Sequence, residues 1–141
     1  MSYPQASETA RMIATFRARA HELGICHDSW ATHFAGKEGP ALLDRFPHGT
    51  TVSTVRVGYL TAFFDQCLLA YLEAGRVSQI VTLGAGFDTR SVRLARPGVR
   101  FFELDTPPTQ TAKLATIGSL KDYPRGQATL IPFTFEEGGQ L

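Results

Sequence analysis

Apolar residues recur at helical intervals over the first half of the chain. One predicted helix follows Ser7, a candidate N-cap, and ends at Gly24, a residue type common just after a helix. A short helix is predicted over 29–35, and the Gly- and Pro-rich stretch 36–49 indicates a loop with one helical turn at 41–45. The apolar positions of the first helix are Ile13, Phe16, Ala20 and Leu23.

The strongest periodic signal predicts a long helix that ends at Gly75. Because an apolar stripe on a helix usually faces a core, we expect this stripe to be buried. Arg56 lies four residues before Leu60 and is therefore expected on the same buried face. A buried guanidinium needs a partner, so Arg56 is a candidate ligand-binding residue. The stripe consists of Leu60, Phe63, Phe64, Cys67, Leu68, Tyr71 and Leu72.

After Gly75 the period changes and short apolar runs predict three strands, at 79–83, 99–104 and 128–133. Helices are predicted between them, over 89–95 and from the N-cap Thr106 to about residue 117. Pro132 has no backbone N–H to donate, so the third strand is expected at a sheet edge.

This order predicts an α/β protein in which N-terminal helices precede half of a doubly wound, Rossmann-like parallel sheet. We assign the helices to residues 1–76 and the partial sheet domain to 77–141. The sheet looks truncated after the third strand, which leaves one side of the first strand without a neighbour. Self-association through that unpaired edge is therefore expected.

Composition excludes several classes of partner. The net charge of +1 argues against nucleic acid and acidic membrane surfaces. No apolar run approaches the roughly 20 residues that span a bilayer, and no signal peptide is recognisable, so we expect a cytoplasmic protein. Cys26 and Cys67 are predicted to be free thiols, and no metal site is predicted.

The segment Gly84-Ala85-Gly86 lies between the first predicted strand and a helix, where nucleotides bind in such sheets. Its glycines allow close approach of the backbone to a ligand. Asp105 follows Gly86 by nineteen positions at the end of the second strand, where a carboxylate can accept both ribose hydroxyls. The structural alternatives are a simple connecting turn and a helix-capping aspartate.

The residues after this turn favour S-adenosylmethionine over a dinucleotide. A dinucleotide turn has a third glycine three residues after the second, whereas this chain has Thr89 there. Asp88 would repel a pyrophosphate and suits a ligand with an ammonium and a sulfonium. Arg56 could bind the α-carboxylate of that ligand in a bidentate fork. A structural salt bridge, or exposure at the helix start, is the alternative for Arg56.

The segments IVTLGAGFDTR and FFELDTP, followed by a helix with Lys113, resemble the leucine carboxyl methyltransferase family. The segments HDSWATHF at 27–34 and VRVGYL at 55–60 extend the resemblance over nearly the whole chain. The family includes enzymes that methyl-esterify a protein's C-terminal leucine and many bacterial small-molecule O-methyltransferases.

The resemblance implies a class I S-adenosylmethionine-dependent methyltransferase and a role for each matching residue. Gly84 and Gly86 would form the cofactor turn, Asp105 would bind the ribose, and Arg56 would bind the methionyl carboxylate. A basic residue that helps close the site would be Arg17 or, second, Arg19. The family usually has an Asp near the adenine after the third strand, but this chain has Thr134, so a hydroxyl or backbone groups would recognise adenine.

The expected reaction is O-methylation of a carboxylate or hydroxyl, on a small molecule or a protein C-terminus, by in-line displacement at the sulfonium methyl. We assign no catalytic residue, because a carboxylate nucleophile needs no general base. Family members are longer than this sequence, so activity of the 141 residues alone is expected to be weak or absent. The alternatives are a non-catalytic cofactor-binding or interaction remnant and a nucleotide-dependent oxidoreductase.

Overall fold

The structure is a computed structural model that describes residues 8–45 and 50–134. Within those ranges, helices precede a parallel sheet whose strands alternate with helices, as the sequence predicts. The elements are α1 (Glu8–Glu22), α2 (Ala31–Ala35), α3 (Gly39–Leu43), α4 (Thr50–Glu73), β1 (Gln79–Leu83), α5 (Arg90–Arg93), β2 (Arg100–Asp105), α6 (Pro107–Ser119) and β3 (Ala128–Pro132).

The predicted elements are confirmed, with different ends in several places. The helical turn expected at 41–45 is α3, two residues earlier, and α5 is shorter than the predicted 89–95. Thr106 occupies the N-cap position of α6, but its hydroxyl contacts the Thr109 hydroxyl at 3.0 Å instead of capping the helix backbone. The proposed cap Ser7 lies outside the described residues.

The sheet has the strand order β1-β2-β3, and both pairs are parallel. The prediction that β3 lies at an edge is confirmed, since its described pairing is with β2 alone. In the described part of the chain β1 likewise pairs only with β2, which leaves its other side open. Self-association through this edge stays a prediction, as does the division into 1–76 and 77–141.

One face of the sheet is packed, whereas the other is exposed at β1 and buried at Leu104 of β2. On the packed face, Ile80 and Phe101 form an apolar cluster with Leu72 of α4 and Leu94. On the opposite face of β1, Val81 is 55% exposed and Leu83 is 64% exposed. Because parallel sheets are normally covered on both faces, this second face is an unusual apolar surface.

The apolar stripe predicted for α4 is largely exposed, so the expectation that it is buried was wrong. Phe63 is 59% exposed, and Leu60, Phe64 and Tyr71 are also exposed. Leu72 alone of the seven is buried, while Cys67 and Leu68 are half-buried. The buried residues of α4 form a different face, which shares only Leu72 with the stripe and consists of Thr54, Gly58, Thr61, Asp65 and Leu72.

Close packing against α1 explains why small residues occupy the buried face of α4. A Cβ at Gly58 would lie 2.7 Å from Cβ of Ala20 and 2.7 Å from Cγ2 of Ile25, which is too close for any side chain. Arg56 lies on the exposed side of α4. The expectation that it is buried was therefore wrong as well, because the stripe that it follows does not face the core.

An aromatic cluster joins the N-terminal helices to the sheet half. Phe34 of α2 packs against Phe87, which follows the glycine turn, with ring centroids 5.5 Å apart. Tyr123 contacts Phe34 and, edge-on at 4.9 Å, Trp30. The cluster also includes Ala14 of α1. Helices and sheet therefore share one core around the turn.

Two further expectations concern the cysteines and the membrane. Cys26 and Cys67 are both free, as predicted. No helix in residues 8–45 or 50–134 is long and apolar enough to cross a membrane.

The close approach of α1 and α4 generates a stability prediction. Gly58→Ala should lower the free energy of unfolding by about 1–3 kcal/mol, the usual cost of overpacking. The matched control is Gly118→Ala in α6, where an added Cβ meets nothing within 4 Å, so stability should be unchanged or rise by up to about 1 kcal/mol. Urea unfolding of both variants measures this, and equal effects would contradict the packing described.

Candidate functional site

A cleft of about 360 Å³ opens at the carboxyl ends of β1 and β2. Ligands bind at this end of open parallel sheets, and the volume lies within the range of about 300–1,000 Å³ for small-molecule sites. Helices α1 and α4 form one wall, and the turn between β1 and α5 forms the other. The lining residues are Thr9, Ala10, Ile13, Arg17, Val57, Leu60, Thr61, Phe64, Gly84, Ala85, Gly86, Phe87, Asp88, Arg90 and Asp105.

The structure brings together most of the residues that the sequence proposed for the site. Arg56 and Thr134 are not among the lining residues, and both are exposed, Thr134 just after β3. The roles predicted for these two stay predictions. Those that line the cleft are Arg17, Gly84, Ala85, Gly86, Asp88 and Asp105.

Both glycines of the turn have the left-handed conformation, with φ of 59° at Gly84 and 50° at Gly86. A Cβ at Gly84 would meet no atom within 4 Å, so the turn leaves space on the cleft side. At Gly86 a Cβ would lie 3.2 Å from Cβ of Ala10, because α1 passes close by. The turn is thus open to a ligand at its first glycine and packed at its second.

Asp105 holds the turn and the start of α6 at the same time. Its Oδ2 accepts the backbone N–H of Gly86 at 2.6 Å, and its Oδ1 accepts the N–H of Thr106 at 2.7 Å. Each carboxylate oxygen has a second lone pair, so the group can still accept hydroxyl donors from the cleft. Since Thr106 is the N-cap of α6, Asp105 is not a helix-capping residue, and its ribose-binding role stays a prediction.

Beneath the cleft lies a buried ionic network of four cations and four carboxylates. Its charges balance, which matters because an unpaired buried charge is very costly. The network connects α1, α4, α5, α6, β2 and the loop before α2. Its members are Arg17, Arg90, Arg93, Lys113, Asp28, Asp65, Asp88 and Glu103.

Asp28 is the centre of one half of this network and is fully buried. It accepts hydrogen bonds from Arg17 Nε, from the Thr89 hydroxyl at 2.7 Å, and from the N–H groups of Trp30 and Ala31. Arg17 also donates to the carbonyl of Phe87. Arg17 therefore lines the cleft in a fixed position.

Of the two basic residues considered for closing the site, the structure places only Arg17 at the cleft. Arg19 lies on the exposed side of α1 and pairs with Glu22 at 3.3 Å.

Asp88 lines the cleft, but Arg90 compensates its charge. The Asp88 carboxylate accepts the Arg90 backbone N–H at 2.7 Å and also pairs with Arg90 Nη1. Burial alone would raise the pKa of Asp88, but the positive charges of Arg90 and Arg17 outweigh it and hold this pKa below 3.8. Asp88 therefore offers no free negative charge to a cationic ligand, contrary to the expectation from the sequence.

Lys113, part of the pattern that resembles the family, has a structural position. Its ammonium is buried, donates to the Asp88 carbonyl at 2.6 Å and pairs with Glu103 of β2. Ser91 donates to the other oxygen of Glu103 at 2.9 Å. Lys113 thus ties α6 to the turn.

Sequence reasoning missed Arg90 and its partner Asp65. Arg90 lines the cleft and donates through Nε to Asp65 of α4 at 2.7 Å. One signal was available, because Thr54, Gly58, Thr61 and Asp65 recur at helical intervals as a stripe of small and polar residues. A carboxylate on such a stripe indicates a buried partner.

Residues 9–140 match the family model of leucine carboxyl methyltransferase. A protein of Mycobacterium marinum is 37% identical over 94 residues, which cover 64% of this chain and 29% of that protein. One of Mycobacterium avium is 32% identical over 136 residues, 82% of this chain and 43% of that protein. Both are named "Putative S-adenosyl-L-methionine-dependent methyltransferase". The chain spans less than half the length of these relatives.

The ionic network generates a second stability prediction. Asp28→Asn should lower the free energy of unfolding by about 3–5 kcal/mol, because it leaves buried cations without their carboxylate. Glu22→Gln removes one charge from the exposed pair with Arg19 and should change stability by less than about 0.5 kcal/mol. Urea unfolding at neutral pH compares the two. If Asp28→Asn changed the free energy of unfolding only slightly, the buried cations would not depend on Asp28 as described.

Proposed function

This chain belongs to the leucine carboxyl methyltransferase family, and we propose that it binds S-adenosylmethionine as part of an O-methyltransferase. The observation that carries the proposal is the convergence of the glycine turn, Arg17 and Asp105 on one cleft at the carboxyl ends of two parallel strands. The names of the mycobacterial relatives support the same cofactor.

The cleft residues fit the parts of this cofactor. The open space above Gly84 would admit the ligand next to the backbone, and Asp105 would accept the ribose hydroxyls. Arg17 uses Nε and Nη2 for protein contacts, so its Nη1 would donate to the methionyl carboxylate. Arg56, four residues before the cleft residue Leu60, is a second candidate for that carboxylate. Thr134 stays the candidate for adenine.

Bound cofactor would supply the electrophilic methyl group, while the chain would bind and orient it. Ile13, Leu60 and Phe64 give the helical wall an apolar surface, which would exclude water from the ligand. Among the described cleft residues the titratable side chains are Arg17, Asp88, Arg90 and Asp105.

Neither carboxylate is assigned as a general base, because Asp88 is paired with Arg90 and its pKa is lowered, whereas Asp105 accepts two backbone N–H groups and would accept the ribose hydroxyls. This favours an acceptor that is already ionised, a carboxylate on a small molecule or a protein C-terminus.

Two other functions are less well supported. A dinucleotide-dependent oxidoreductase would need a third glycine where Thr89 is fully buried and bonded to Asp28. The other alternative is a protein that binds the cofactor without transferring its methyl group. A methyl-transfer assay on the protein distinguishes this case from an enzyme.

The glycine turn provides a direct test of cofactor binding. Gly84→Ala places a methyl group in the open space at the cleft and should lower affinity for S-adenosylhomocysteine by about tenfold or more, roughly 1.4 kcal/mol. Gly75→Ala is the matched control, because Gly75 has a similar φ of 62° and equal space but ends α4 outside the cleft lining. Calorimetric titration should show unchanged affinity for the control. Equal affinities of the two variants for S-adenosylhomocysteine would show that the turn does not contact the ligand.

A substitution of Asp105 tests whether the ribose of the ligand contacts this carboxylate. Asp105→Ala should weaken binding by roughly 1.5–3 kcal/mol, the value for a hydrogen bond to a charged group. Adenosine and S-adenosylhomocysteine should lose affinity equally, because they share the ribose. The exposed Asp122→Ala is the control, and circular dichroism checks folding. A loss confined to S-adenosylhomocysteine would contradict the ribose assignment, and tight binding of NADH by the unaltered protein would contradict the cofactor.

A further inference from the structure

We propose that Asp65 is a positioning residue of the cleft, which fixes the turn after β1 against the helical wall by holding Arg90 and Arg93. The inference rests on the proposed function, because the binding of a cofactor analogue is its readout. Asp65 itself is not among the residues that line the cleft. It would act through the two arginines.

The contacts of Asp65 lead directly to the residues after the glycine turn. The buried carboxylate accepts Arg90 Nε at 2.7 Å and also pairs with Arg93 Nη1. Arg90 in turn holds the Asp88 carboxylate, and Arg93 donates to the Thr89 hydroxyl at 2.8 Å. One carboxylate on α4 is thus connected to two consecutive residues of the opposite wall.

The position of Asp65 on α4 links these contacts to the helical wall of the cleft. Thr61, one helical turn earlier, and Phe64, its neighbour, both line the cleft. In the described part of the chain, every ion pair between α4 and residues 84–93 is made by Asp65. The separation between α4 and the turn therefore depends on this carboxylate.

Removal of Asp65 would also disturb the balance of charges in the ionic network. Without Asp65, the arginines that it separates would face each other with less negative charge between them, and like charges repel. Arg90 has a side chain at the cleft surface, so it would move toward the ligand space. Loss of Asp65 would thus both loosen one wall and leave Arg90 with Asp88 as its one remaining carboxylate partner among the described ion pairs.

The test is the affinity of the protein for S-adenosylhomocysteine, measured by calorimetry at a temperature where each variant is folded. Asp65→Asn keeps the shape of the side chain and removes its charge, so affinity should fall by about tenfold or more, the value of one charged hydrogen bond. Asp65→Glu keeps the carboxylate and should recover most of the lost affinity. Such a rescue is not expected if Asp65 only fills space.

Leu72→Ala is the control for stability alone. Leu72 is buried on the same face of α4 but packs in the apolar cluster around Ile80, away from the cleft. Its truncation should lower the unfolding midpoint and leave affinity unchanged. Equal losses of affinity in Asp65→Asn and Leu72→Ala would overturn the proposal, as would full affinity in Asp65→Asn.

A second variant covers the case in which Asp65→Asn does not fold. Arg93→Gln removes one partner of Asp65 without changing a lining residue of the cleft, and it should still reduce affinity several-fold. Unchanged affinity there overturns the inference. Failure of the unaltered protein to bind S-adenosylhomocysteine would instead overturn the proposed function, and the inference with it.

Discussion

The buried ionic network is the constraint on which the rest of the site depends. Four cations and four carboxylates lie between the N-terminal helices and the sheet, at a place where most domains have apolar side chains. Buried ion pairs add little stability compared with apolar packing of the same volume, but the loss of one partner is costly because it leaves a buried charge uncompensated. The network therefore specifies geometry. Through Arg17 of α1 and Asp65 of α4, it fixes both helices of the cleft wall relative to the turn after β1.

The network also explains why the buried face of α4 contains small and charged residues while most of its large apolar residues are exposed. The face of this helix that meets α1 contains Gly58 and Asp65, because close packing and a buried charge are both required there. Most of its larger apolar residues consequently lie outside that face, where Leu60 and Phe64 line the cleft and Phe63 is exposed. Val81 and Leu83 of β1 are exposed apolar residues as well. Such surfaces are normally covered by packed polypeptide.

The features that could be predicted from sequence are those that depend on neighbouring residues in the chain. The strand runs, the glycine turn and Asp105 at the end of β2 follow local patterns, and the structure confirms their positions. The face of α4 could not be predicted in this way, because the rule that an apolar stripe is buried assumes a single core. The error about Arg56 has the same origin. Asp88 and Arg90 are near neighbours in the chain, but the second contact of Arg90, to Asp65 of another helix, could not be predicted from local pattern.

The structure changes the physical reason for preferring a ligand without phosphates. A dinucleotide site uses the N-terminus of a helix, whose aligned peptide dipoles attract the pyrophosphate. Here the helix after the turn, α5, has only four residues, so its dipole is small. The carbonyls of Phe87 and Asp88 accept bonds from Arg17 and Lys113, which draws these two cations into structural contacts. The turn is therefore held by balanced side-chain charges and has little net positive potential. A zwitterionic amino-acid end, which carries one charge of each sign, fits such a site better than two phosphates do.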